Sequence, residues 1–312
     1  GFAPTATLLD DLMSSDGLSL RDRFMVSRLM KGIEVVNSHF DAYRFGDAQQ
    51  ASYQLWLDDL CDVYLESIKP VIKDTSDENK QRRWAAQATL WLTMDAGLRL
   101  LHPMMPFVTE ELWQRLPGRG TMGEPESIMV AAYPECEDKY TDDKAEQAMA
   151  ATLKIVKAFR SLRSAYNIAN KDLTHFFVKV TGADEEIAKA QVDDLKTLGK
   201  GAKVEVNPDE ASIPKSVGTV VVDDSLTVLM DLAGMVDFEA EIARLNKTLK
   251  STMPSLQNLE KKMGAPEYES KVPDQLKAAN KDKAESLKKK VADINEAIEN
   301  FKNLMIMEKQ QK

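Results

Sequence analysis

The sequence predicts a mainly α protein in three parts: a helical-bundle domain over residues 1–170, a small α+β domain over 171–236 and a C-terminal antiparallel coiled-coil hairpin over 237–312. Three observations carry this prediction. Apolar residues recur at steps of three and four through the first half. After Leu173 the helical period gives way to runs rich in aromatic and β-branched residues. From Ile242 the steps of three and four return as a heptad seam, interrupted once by a Gly/Pro-containing stretch.

Ser19 is placed to cap a helix starting near Leu20, with Asp22 in its first turn. Met25, Leu29, Ile33, Val36 and Phe40 mark its buried face. Gly46 and Asp47 break and restart the chain, and a helix follows to about Lys69, with Pro70 expected to end it. Ser76 opens the next helix, which turns Trp84, Ala88, Trp91, Leu98 and Leu101 inward. Pro103 stops it, because the ring excludes the preceding turn and removes a donor. Pro106 suits the first turn of a short successor, with Thr109, Glu110 and Glu111 near its start. After a crossing from Pro117 to Pro134, a long helix runs from about Asp142 to Tyr166, with Met149, Leu153, Val156, Phe159 and Leu162 inward.

"LTHFFVKV", "AKVEV", "TVVV" and "LTVLMDL" read as strands, the last two joined by a turn at Asp223, Asp224 and Ser225. One helix, about Glu185 to Leu198, lies between the first two. The seam then runs through Ile242, Leu245, Leu249, Thr252, Leu256, Leu259 and Met263. It resumes through Leu276, Asn280, Ala284, Leu287, Val291, Ile294, Ile298, Phe301 and Met305. Two such helices with so short a link fold back on each other as an arm of roughly 35–45 Å. The seam is weak toward the tip, and Pro254 is expected to kink the first helix.

Composition bounds the function. With 312 residues, 43% hydrophobic and 29% charged, the chain is globular and large enough for more than one core. The net charge of −9 excludes wholesale wrapping of nucleic acid. Yet residues 239–312 carry 15 Lys/Arg against 12 Asp/Glu, so the chain joins an acidic body to a mildly basic extension. Cys61 and Cys136 are far apart without ligand-spaced neighbours, which points away from zinc or a disulfide framework and toward a reducing, cytoplasmic setting. No apolar run predicts a membrane span, and no signal peptide is recognisable. The opening "GFAPTATLL" lacks an initiator Met and predicts a piece of something longer.

"LRLLHPMMPFVTEELWQRLP" (98–117) resembles the anticodon-binding bundle of class I aminoacyl-tRNA synthetases. "YRFGDAQQASYQLWLDDLCDVYLESIKPV" (43–71) and "AFRSLRSAYNI" (158–168) narrow the resemblance to valyl-tRNA synthetases, particularly the eukaryotic cytosolic branch. A terminal hairpin containing "KVP" (271–273) fits the same carboxyl end. Leu57 and Val63 stand where bacterial members commonly have tryptophan, while Trp56 is kept, and Pro254 is foreign to such an arm. His-x-Gly-His and Lys-Met-Ser-Lys-Ser signatures and a phosphate-cradling glycine loop are absent from the sequence. The resemblance implies no catalytic residue, metal or cofactor in this segment, ATP and Mg²⁺ for the parent enzyme, and tRNA(Val) as partner. Catalytic and editing domains of the same polypeptide are implied too, and a bundle helix is expected upstream of Gly1.

Residue chemistry gives the candidate contacts. Tyr43, Arg44 and Phe45 can stack on unpaired bases and meet phosphate, or else plug the bundle end. Arg99 and His102 can meet phosphate or a neighbouring domain; satisfying carbonyls freed at the stopped helix is the favoured reading. Arg160 and Arg163, with Lys154 and Lys157, form either an RNA-tracking stripe or a solvated face. In the arm, Lys247, Lys250, Lys261, Lys262, Lys271, Lys277, Lys281, Lys283, Lys288, Lys289 and Lys290 face only 6 acids between Lys247 and Lys290. Such an excess suits phosphate contact, which the resemblance places at the outer corner of the tRNA. Tyr268 can stack there or cover the hairpin end. The pairs Asp58/Asp59, Asp62/Glu66 and Glu110/Glu111 have no nucleophile or glycine loop beside them and read as helix faces or caps. A helical scaffold for protein partners, in an elongation-factor or multi-synthetase assembly, is the competing reading; the equivalent region of a related class I synthetase is a third.

Overall fold

The structure is a computed structural model describing residues 2–120, 123, 125–214, 216–235, 238–264, 268 and 273–309; of residues 241, 274, 275, 278, 289, 290, 293, 296 and 307–309 the backbone alone is described. The bundle begins with α1 (Leu8–Met13) and α2 (Leu20–Asp41). Asp22 Oδ2 accepts from both the Ser19 amide (2.9 Å) and the Ser19 hydroxyl (2.5 Å), so the predicted cap holds the start of α2. Next come α3 (Phe45–Gln54), a π-helical stretch (Leu55–Leu65) and α4 (Glu66–Lys73). The chain therefore does not stop at Pro70. The proline forfeits one ladder bond, but its own carbonyl still accepts from Asp74 N at 3.1 Å. The wide π turn was illegible as such; it aligns Leu55 and Leu60, five apart and both buried.

α5 (Lys80–Leu101) starts later than Ser76, because Asp74 Oδ1 accepts from Ser76 N (3.0 Å) and holds residues 74–76 in a turn. α6 (Pro106–Gln114) follows the predicted corner, and α7 (Asp143–Ala165) is capped by Asp142, whose side chain accepts from Ala145 N at 2.9 Å. α2 and α5 run parallel. At their N-terminal ends the Tyr64 hydroxyl donates to Asp22 Oδ1 (2.6 Å) and to Ala86 O (3.2 Å). At their C-terminal ends Phe40 packs on Tyr133, whose hydroxyl donates to Leu100 O at 2.9 Å.

β1 (Thr174–Val180), α8 (Asp184–Ala190), α9 (Val192–Gly199), β2 (Gly201–Val206), β3 (Val217–Asp223) and β4 (Leu226–Asp231) make the α+β unit. The single predicted helix is thus two, parted at Gln191. Sheet order is β2-β1-β4-β3, with β1 and β2 parallel across the helical crossover and the other pairs antiparallel. This sheet packs on the far half of α7: the rings of Phe159 and Phe176 stack at 3.9 Å and 7°. The stack needs Gly199, since a Cβ there would lie 2.3 Å from Phe159 Cδ2.

α10 (Phe238–Met263) and α11 (Asp274–Lys309) form the arm, and Phe238, Phe301 and Leu304 at its root belong to the same core as α7 and the sheet. Pro254 stands inside α10 without interrupting it. The carbonyl that its missing N–H leaves without a ladder bond belongs to Lys250, an exposed residue on the outward side of the helix.

Candidate nucleic-acid interface

At the C-terminal ends of α2 and α5 the chain exposes aromatic rings. Tyr43 takes a left-handed backbone (φ 57°), an uncommon conformation for a bulky residue. It is held there by Tyr43 N donating to Phe40 O (2.9 Å) and Arg44 N to His39 O (2.8 Å). The turn throws the Tyr43 ring out, 82% exposed, with Phe45 beside it at 56%. Their centroids are 6.3 Å apart, and Phe45 leans on Phe40 at 5.9 Å. Arg44 Nε reaches Asp47 only at 3.9 Å. Both rings face solvent at the bundle end.

The same end carries an apolar apron that sequence reasoning missed: Phe107 is 91% exposed, and Met105, Met129 and Val130 are exposed too. The signal was present. On α6, Thr109 and Trp113 turn inward, so Phe107 must point away from the core.

Arg99 and His102 both have partners within the chain. Arg99 donates to Asp95 Oδ2 (3.1 Å through Nε) and to Ala132 O (2.9 Å), while His102 spans Thr109 Oγ1 (2.7 Å) and Met129 Sδ (2.8 Å). They tie the stopped helix to α6 and to the crossing segment. Arg163 has internal partners too. It is buried, and burial pushes its pKa down; it donates to the carbonyls of Ala169, Asp172 and Lys200. Those carbonyls belong to the turn into β1 and the end of α9, so the group fastens the bundle to the sheet. Lys154 pairs with Asp223 at 2.5 Å. Of the predicted stripe, exposed Lys157 and Arg160 stand outside any ion pair among the described residues. Arg160 borders a cleft of about 510 Å³ shared with Asn170, Lys200, Asp62 and Glu66.

In the arm, Lys247, Lys250, Lys261, Lys262, Lys281, Lys283 and Lys288 are exposed and Lys277 is half-buried. Lys288 Nζ lies 2.8 Å from Glu260 Oε1 across the hairpin, which raises its pKa. Lys271 lies outside the described residues, as do the side chains of Lys289 and Lys290. Tyr268 is buried and its hydroxyl accepts from Asn280 Nδ2 at 2.7 Å, so it covers the hairpin end and is corrected out as a stacking residue. Leu276 is 52% exposed, in keeping with the weak distal seam.

The description "anticodon-binding domain of tRNA ligase" matches residues 22–178, half of the chain. The chain belongs to that family. The "valyl tRNA synthetase tRNA binding arm" matches residues 237–302, which is the hairpin. Valine–tRNA ligase of Mus musculus is 34% identical over 306 residues, covering 98% of this chain and 24% of the relative. The Homo sapiens relative is 34% identical over 288 residues, 92% of this chain and 22% of its own length. A mitochondrial valine–tRNA ligase of Arabidopsis thaliana is 32% identical, with 91% and 25% covered. The chain thus spans about a quarter of the length of these curated relatives. The exposed rings at Tyr43 and Phe45 fall inside the anticodon-binding match and the lysine-rich hairpin inside the arm match. No helix among the described residues is long and apolar enough to cross a membrane.

Proposed function

We propose that this chain is the tRNA-holding region of a valine–tRNA ligase, gripping tRNA(Val) on its anticodon side and at its outer corner. The observation that carries it is the pair of surfaces at opposite ends: exposed rings beside an arginine where α2 and α5 finish, and a lysine-rich arm rooted beyond their starts. Tyr43 and Phe45 stack on unpaired anticodon-loop bases while Arg44 meets backbone phosphate. Lys157 and Arg160 add phosphate contacts along α7, and the arm lysines hold the corner by charge and shape. The region contributes positioning, and ATP- and Mg²⁺-dependent transfer of valine belongs to a catalytic domain elsewhere in the polypeptide, which also carries an editing domain. A cytoplasmic location, with translation-complex components as further partners, completes the reading.

Salt-dependent tRNA binding tests it. The chain binds tRNA(Val) with an affinity that falls steeply as salt rises. Tyr43→Ala combined with Phe45→Ala lowers that affinity by about 30-fold or more, because each of the two lost base stacks is worth ~1–3 kcal/mol. Protein association from cell extract without any RNA footprint would favour a scaffold instead.

A further inference from the structure

The arm is electrically two-sided. In α10, Ile242, Leu249 and Leu256 hold one seam position and Leu245, Thr252 and Leu259 the other. Lys247, Lys250 and Lys261 therefore fall on the side turned away from α11, and all three are exposed. No acid stands between Ile242 and Leu259. In α11 the same register turns Asp282, Glu285 and Glu299 outward, all exposed, together with the position of Lys289, and sets exposed Lys281, Lys283, Lys288 and Lys302 along the margins of the seam. Two of those marginal lysines are already engaged: Lys288 with Glu260 at 2.8 Å and Lys302 with Glu299 at 2.6 Å.

We propose that the arm meets RNA broadside, along the outward face of α10, with the acidic face of α11 turned from the RNA. The proposal rests on the reading of the chain as a tRNA-binding region, and adds which side of the arm touches. Phosphates meet Lys247 and Lys250 on an acid-free stretch of α10 and Lys261 beside a Glu260 already paired with Lys288, whereas the same approach to α11 meets the carboxylates of Asp282, Glu285 and Glu299. That asymmetry rejects the flipped orientation as well as favouring the correct one. Contact runs along the helix because Tyr268 at the tip is committed to Asn280. Lys247 to Lys261 covers roughly 21 Å of helix axis, a length suited to a stretch of RNA backbone.

Charge reversal on each face separates the possibilities, with helicity of every variant checked by circular dichroism. Lys247→Glu, Lys250→Glu and Lys261→Glu together lower tRNA affinity more than tenfold at low salt. They also flatten the dependence of log K on log salt by about 2, since each lost phosphate contact removes ~0.7–0.9. Asp282→Lys with Glu285→Lys leaves affinity unchanged or raises it. An equal loss from Lys281→Glu with Lys283→Glu, or no loss from the α10 set while the chain still binds tRNA, overturns the one-sided contact alone. Failure of the unaltered chain to bind tRNA at low salt overturns the underlying reading too.

Discussion

Replacing Arg21 with methionine is expected to destabilise the chain by about 3–5 kcal/mol. Arg21 and Asp194 form a salt bridge at 3.0 Å with side chains only 7% and 3% exposed, and the pair joins the start of α2 to α9. Arg21 also donates to Ser67 O at 2.7 Å. Without the guanidinium, a carboxylate is left buried without its paired cation, and that cost exceeds what the pair itself contributes. Arg21→Met with Asp194→Leu should therefore return to within about 1 kcal/mol of the parent in chemical denaturation. A double variant as unstable as the single one would show that packing, not charge, sets the effect.

The pair also gives a pH signature. Desolvation by burial, opposed by Arg21, pushes the Asp194 carboxyl from 3.8 to about 6. The folded chain then holds this proton to higher pH than the unfolded chain does. Its stabilising contribution is complete at low pH and is lost as pH rises from about 4 through about 6. Asp194→Asn removes that decline, and the penalty of Arg21→Met shrinks as the pH is lowered and the orphaned carboxyl takes up a proton. Denaturation midpoints between pH 4 and 8 check both signs.

Phe159→Ala should cost about 3–5 kcal/mol as well, by leaving a ring-sized void where the bundle's last helix meets the sheet. Phe159 is fully buried, stacked on Phe176, and sits in the core that also takes Phe301 and Leu304 from the arm root. The loss should be uneven. Hydrogen exchange should rise in β1, β4 and the root of the arm before it rises in α2 and α5, whose core is separate. Uniform loosening of both cores would show that they unfold as one unit.

Both predictions concern joints, and joints are what the sequence left unread. Arg163 and Arg160 look alike at a spacing of three, yet one is spent on carbonyls inside and the other faces a cleft. Tyr268 and Tyr43 both read in the sequence as aromatics between helices, yet one is buried against Asn280 and the other is thrown out by a left-handed turn. Nothing local distinguishes them, because burial depends on which distant segment arrives beside the residue. Phe107 was more legible, since the inward pair Thr109 and Trp113 fixes its direction.

By itself the sequence determined the helical bundle, the change to strands after Leu173, the heptad hairpin and the charge excess along it, because hydrophobic period, proline and cap chemistry act within a few residues. Tertiary structure alone decided the π turn, the passage through Pro70, the parallel run of α2 and α5, and which arginines and aromatics remain free to meet a partner. Those outcomes follow from contacts between segments far apart in the chain. Desolvation there ranks the competing partners of each polar group, and no local pattern carries that ranking.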